Sequence, residues 1–160
     1  MSKRNFWWMC VSWASVLVWM GTIFFLSAQH GDQSADLSGG ITEAINEILQ
    51  NVAPDASLNI ESISFFVRKN AHFLAYLVLG LLTFFAFRKS GVGHKKGAIL
   101  AFIVSILYAV SDEVHQLFVP GRSGQVSDVV LDSVGALTGI GIYFMVVALW
   151  KKKKGEVDEQ

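Results

Sequence analysis

The sequence predicts an all-α integral membrane protein: a four-helix bundle with a short amphipathic helix in the first extracellular loop. Three observations carry that expectation. Of 160 residues, 52% are hydrophobic and only 16% charged, a balance that favours the membrane class over a soluble domain of this length. The apolar residues gather into four runs, each long enough for a hydrocarbon core about 30 Å thick. Lys and Arg fall mainly where those runs end on one side. The length fits a single domain, 1–160.

The first run, 6–28, follows Lys3 and Arg4 and carries Trp7, Trp8, Trp13 and Trp19. It is too long and too aromatic for the apolar core of a secretory signal, so it is read as a retained spanning helix. Its lone cysteine, Cys10, has no disulfide partner in the chain and is expected to be a small buried apolar residue. Next comes a loop, 29–62, without Lys or Arg but with Asp32, Asp36, Glu43, Glu47, Asp55 and Glu61. Within it Ile41, Ala44, Ile45, Ile48 and Leu49 recur at helical spacing, which predicts the amphipathic helix, ended before Pro54. It would lie on the outer surface or cap the bundle, the alternative being a disordered linker. Ser57 or Asn59 could cap the next helix.

The second, third and fourth runs span 63–87, 97–119 and 127–150. Arg88, Lys89, Lys95 and Lys96 fill the connection between the second and third, and Lys151, Lys152, Lys153 and Lys154 follow the fourth. With four spans, all these cations share one side. By the positive-inside rule that side is cytoplasmic, in the cell membrane, with both termini inside and the acidic loop outside. Trp7, Trp8 and Trp150 read as interfacial residues, and His30 and His94 as solvated loop residues. Membrane lipids are the expected surroundings. Nucleic-acid binding has no support, no cofactor or metal is implied, and a homo-oligomer is left open.

The functional signal lies in the charges set inside the apolar runs. On a rise of about 1.5 Å per residue, Asp112 sits about 23 Å along its helix from Gly97, and Asp132 about 27 Å from Trp150. His72 lies at a similar depth, and Arg68 at the boundary. Ionisable groups in lipid are costly and mark functional sites by default. Helical spacing gives each of the last three spans one polar or small stripe. The stripes are Arg68, His72, Tyr76, Gly80 and Thr83; Ser105, Tyr108, Asp112 and His115; and Asp128, Asp132, Gly135 and Gly139. Facing the stripes together would hide the charge from lipid. The first span has no such stripe and is expected at the periphery.

Three stretches resemble the VanZ-like family of bacterial membrane proteins. They are Lys69-Asn70-Ala71-His72-Phe73-Leu74-Ala75-Tyr76 with Gly80; Ser111-Asp112-Glu113-Val114-His115-Gln116 through Pro120-Gly121-Arg122; and Ser127-Asp128-Val129-Val130-Leu131-Asp132 with Gly135 and Gly139. The end of the first span, Phe25-Leu26-Ser27-Ala28-Gln29, fits as well. The resemblance implies a link with lowered susceptibility to the glycopeptide teicoplanin, but supplies no reaction.

Two chemistries suit the charged groups. The first is an anion site for a lipid phosphate or a cell-wall precursor headgroup. Arg68, Lys69 and Arg122 would supply charge, with His72 and His115 beside them. The backbone N–H groups of 121–124 and of the fourth span's start would add donors, Asp112 and Asp132 would orient the cations, and Asp128 is counted with the site. The bland counterpart is an Arg122 that merely pairs with Asp128 or Glu113 to hold a turn. The second is an acid–base or metal-dependent enzyme acting on such a headgroup, with His72, Asp112, Glu113 and His115 as candidate catalytic groups. Against it, neither His-Glu-x-x-His nor Gly-x-Ser-x-Gly occurs. Histidines hydrogen-bonded to carboxylates in a packed bundle would look the same. Transport is the weakest reading, since four spans are few and no inverted repeat is visible.

Overall fold

The computed structural model describes residues 3–29, 31–52 and 60–158, which form five helices and, among the described residues, no strand. They are α1 Lys3–Ser27, α2 Gly31–Val52, α3 Ile60–Lys89, α4 His94–Gln116 and α5 Val126–Asp158. Four segments, Lys3–Ser27, Ser62–Lys89, His94–Gln116 and Val126–Trp150, are long and apolar enough to cross a membrane. The chain is thus an all-helical, multi-pass membrane protein. Its packing agrees: large apolar side chains such as Leu17, Val18, Leu107, Val130 and Leu149 face outward. Small or polar ones such as Ala101, Ser105, Asp132 and Ala136 are buried. Lipid tails solvate the former as well as a core would, so helices associate through close-fitting small residues and polar contacts instead.

α3 is the central helix, and its closest neighbour is α5. A Cβ placed on Gly135 would collide with the Phe73 carbonyl, one on Gly139 with the Leu77 carbonyl, and one on Gly80 with the Ala136 carbonyl. The two backbones therefore touch along a seam that only these glycines permit. α1 stands at the periphery, as expected, but it is tied down by polar bonds. Trp19 Nε1 donates to the Ala75 carbonyl at 2.8 Å, Trp13 Nε1 to Ser90 Oγ at 3.0 Å, and Tyr108 donates its hydroxyl to the Met20 carbonyl at 2.6 Å.

Several details differ from the sequence reading. α4 ends at Gln116, not Val119. Beyond it the Phe118 and Val119 N–H groups reach only three residues back, to His115 and Gln116, and Gly121 turns the chain with φ of 76°. Pro120 cannot donate to a continuing helix. α2 starts at Gly31, ten residues before the expected apolar repeat. It lies along α3 with Thr42 buried, while Ile41 and Ile48 remain exposed, so most of the apolar face points away from the bundle. Cys10 is exposed, because its side of α1 faces outward. His94 is not in a loop but opens α4, with its ring 6.5 Å from that of Tyr143. His30, Pro54, Asp55, Ser57 and Asn59, and the side chains of Asp32, Asp36, Leu49, Glu61 and Lys151 to Lys154, lie outside the described residues.

The bundle has two distinct ends. At one, Lys89 sits over the Trp8 ring at 6.0 Å, so the start of α1 and the basic α3–α4 connection lie together. Tyr143 and Phe144 bring the later part of α5 beside Phe84 and His94 at that same end. The other end holds the close of α1, the 117–125 connection and the buried charges.

Candidate functional site

The site forms where three elements deliver polar side chains to the core and a fourth supplies backbone oxygens. From α3, Arg68, His72 and Tyr76 point the same way, because they are spaced four apart. From α4, Asp112, Glu113 and Gln116 are all buried. From α5, Asp132 is buried completely, and Asp128 lies one turn nearer the helix start. Arg122 projects from the α4–α5 connection.

Two acid–base contacts cross between α3 and α5. Lys69 forms an ion pair with Asp128. His72 Nδ1 lies 3.7 Å from Asp132 Oδ2, an ion-pair distance but longer than a hydrogen bond. Among the described residues, neither oxygen of Asp132 nor of Asp112 completes a hydrogen bond, and Glu113 Oε1 has none either. Buried polar atoms are rarely left so, which is what sets this cluster apart from ordinary packing.

Arg122 forms neither of the pairs, with Asp128 or with Glu113, that the bland alternative offered. Its Nε donates to the Gln29 carbonyl at 3.1 Å and its Nη2 to the Leu26 carbonyl at 3.4 Å. Leu26 is in the last turn of α1 and Gln29 two residues beyond it, at the end where helix carbonyls lack intrahelical partners and the dipole is negative. Burial lowers the Arg122 pKa, and the nearby Arg68 lowers it further, while Asp112 and Glu113 act the other way. A guanidinium keeps its proton under such a shift. Among the described residues, neither Arg122 nor Arg68 forms a salt bridge. Asp128 is taken by Lys69, and Asp132 faces His72, so the expected orientation of arginines by Asp112 and Asp132 is not found.

The start of α5 was expected to offer free N–H groups to an anion. Just before it one such group is engaged: the Gln125 N–H donates to Glu113 Oε2 at 2.8 Å. A Cβ at Gly124 would stand 2.5 Å from the Glu113 carbonyl oxygen, so the glycine lets the connection close over α4. Glu113 is thus a cap for α5, not a partner of Arg122. His115 turns toward α1, its ring centroid 4.5 Å from that of Phe24, with Nε2 buried and, among the described residues, unpartnered.

Sequence reasoning missed Ser27 and Gln116. Gln116 Nε2 donates to Ser27 Oγ at 3.0 Å, and both are buried, so they join α1 to the site. The signal was present in the stretch Phe25–Gln29, but an uncharged serine at the end of an apolar run is easily passed over. Among the described residues, no three His, Cys, Asp or Glu are placed to hold a metal ion.

Two cavities meet at this site, and Arg68, His72 and Arg122 line both. One, of about 200 Å³, is mainly polar and is bounded also by Lys69, Gln116 and Asp128. The other, of about 210 Å³, is mainly apolar and runs between α1 and α3 beneath Ile41 of α2. A family profile described as VanZ/LLP1 matches residues 12–148, which takes in every residue of the site. No curated protein and no solved structure matches the chain.

Proposed function

The chain belongs to the VanZ/LLP1 family, and on that footing we propose that it binds or masks an anionic component of the cell envelope at the outer leaflet. The ligand is a lipid phosphate or a cell-wall precursor headgroup. One observation carries the proposal. Arg68 and Arg122 lie close enough for one to lower the other's pKa, they border the same polar cavity, and among the described residues neither has a carboxylate partner. Two like charges at a partly buried site are stabilised by an anion between them, and guanidinium forks suit phosphate and carboxylate geometry. The placement of Lys and Arg along the chain supports an outward-facing site. The family resemblance links such masking to teicoplanin. Removing one charged hydrogen-bond donor should weaken anion binding by about 10- to 100-fold. Arg122→Ala should therefore abolish any resistance phenotype while protein level and topology persist. Loss of the protein itself would instead make Arg122 a purely structural residue.

A second reading is favoured by a separate observation. The unpartnered oxygens of Asp112, Asp132 and Glu113, with His72 beside them, are groups that could exchange a proton with a bound headgroup. Mass spectrometry of lipid extracts and cell-wall precursors, with and without expression, separates the two. A new covalent product lost in Asp112→Asn supports an enzyme. An unchanged inventory with reduced antibiotic binding to cells supports a binder.

A further inference from the structure

We propose that the bound anion is the phosphate of a membrane lipid, whose hydrocarbon chain lies in the apolar cavity between α1 and α3. The inference rests on the anion-binding reading above and adds the occupant's second half. Arg68, His72 and Arg122 stand at the junction of two cavities of opposite character. On one side are Lys69, Ser123 and Gln125; on the other are Ile23, Leu26, Ile41, Val67, Ala71 and Ala75. An amphiphile has this same division, charge at its centre and hydrocarbon below.

The direction fits as well. Arg68 lies about 9 Å along the helix from Ser62, where the apolar span begins, and Ala75 about 10 Å further in. The cations therefore sit toward the headgroup region and the apolar cavity extends toward the acyl chains, as a lipid in that leaflet is oriented. Room for the chain comes from Ala71 and Ala75, whose side chains leave the α1–α3 seam open. Apolar cavities of about 150 Å³ take up benzene, so about 210 Å³ accepts a stretch of alkyl chain. Ile41 borders the cavity from α2 while remaining 58% exposed, which gives the exposed face of that helix a role as the cavity's rim. A free phosphate or a soluble precursor fragment would leave this half of the site unused.

Hydrocarbon gains little by moving from bilayer to protein, so the chain's position, not its contribution to affinity, is the decisive readout. Full-length protein is placed in phosphatidylcholine nanodiscs doped with phosphatidic acid carrying a diazirine near the ester end of one chain. Irradiation should label 23–26 of α1 and 67–75 of α3, and unlabelled phosphatidic acid should compete better than glycerol 3-phosphate. Filling the cavity with Ala71→Trp, or independently with Val67→Phe, should reduce labelling there severalfold. Labelling spread evenly over outward residues such as Leu107 and Val130, or equal competition by glycerol 3-phosphate, overturns the inference. If phosphatidic acid still co-purifies in an Arg122-dependent way under native mass spectrometry, the anion-binding reading survives that result. No preference over phosphatidylcholine, and no effect of Arg122→Gln on retention, removes both.

Discussion

Glu113 has one carboxylate oxygen engaged in the architecture and, among the described residues, the other without a partner. Beside Asp112 and near His115, it read as part of an acid–base group. In the fold its Oε2 accepts the Gln125 N–H at the entrance to α5, at the positive end of that helix. Glutamine keeps an acceptor there and alanine does not. Glu113→Gln should therefore change stability little, whereas Glu113→Ala should cost about 1 kcal/mol, the usual value of a lost N-terminal cap. Thermal unfolding in a fixed detergent distinguishes them, and equal losses in both would show that the charge matters more than the bond. Asp112 and Asp132 are a different case. Their burial was legible from depth along the helix, and their proximity to His72 followed from four-residue spacing. Which cation each would face was not legible, since Asp128 and Asp132 share one face of α5 and a slide of that helix by about one turn exchanges them as the partner of Lys69. The acceptors of Arg122 were not legible for a related reason: they are backbone carbonyls, which leave no trace in side-chain identity.

Helices of this bundle are placed by what their surfaces allow. The α3–α5 pair depends on Gly80, Gly135 and Gly139, each against a backbone carbonyl of the opposite helix. Gly139→Ala has no flexible side chain to displace, so the helices must separate. Overpacking of this kind costs about 1–3 kcal/mol. Gly141, two positions on, meets nothing within 4 Å. Gly141→Ala should be neutral or stabilising by up to about 1 kcal/mol through helix propensity. Unfolding of the two variants under identical conditions checks the pair, and similar behaviour would mean the seam is not tight. Four of the five helices were legible because a spanning segment must be long, apolar and internally hydrogen-bonded. α2 was legible only in its second half. The first half carries no such apolar repeat and includes Gly39 and Gly40, yet the helix runs through both. Propensity is a weak prior there, and packing along α3 is the competing influence.

Across the whole molecule, polarity is divided between two ends. The basic α3–α4 connection and the start of α1 share one end, and Arg122 with the buried carboxylates occupies the other. That division was readable without coordinates because an even number of spans forces alternate connections to opposite sides. What it means for function depends on which end faces out, since a binder of envelope components needs the Arg122 end at the outer leaflet. The distribution of Lys and Arg argues for this, because translocating several closely spaced cations is disfavoured. The protein offers a direct check. Its single cysteine is on α1, so Cys10→Ser gives a background for placing one thiol at a time. Ser123→Cys, exposed on the α4–α5 connection, should react with a membrane-impermeant maleimide in intact cells. Lys95→Cys, exposed at the start of α4, should react only after permeabilisation. The opposite pattern would turn the polar cavity toward the cytoplasm. The lipid-headed geometry could then still hold, but its ligand would have to come from the inner leaflet and masking of an external antibiotic target would be ruled out.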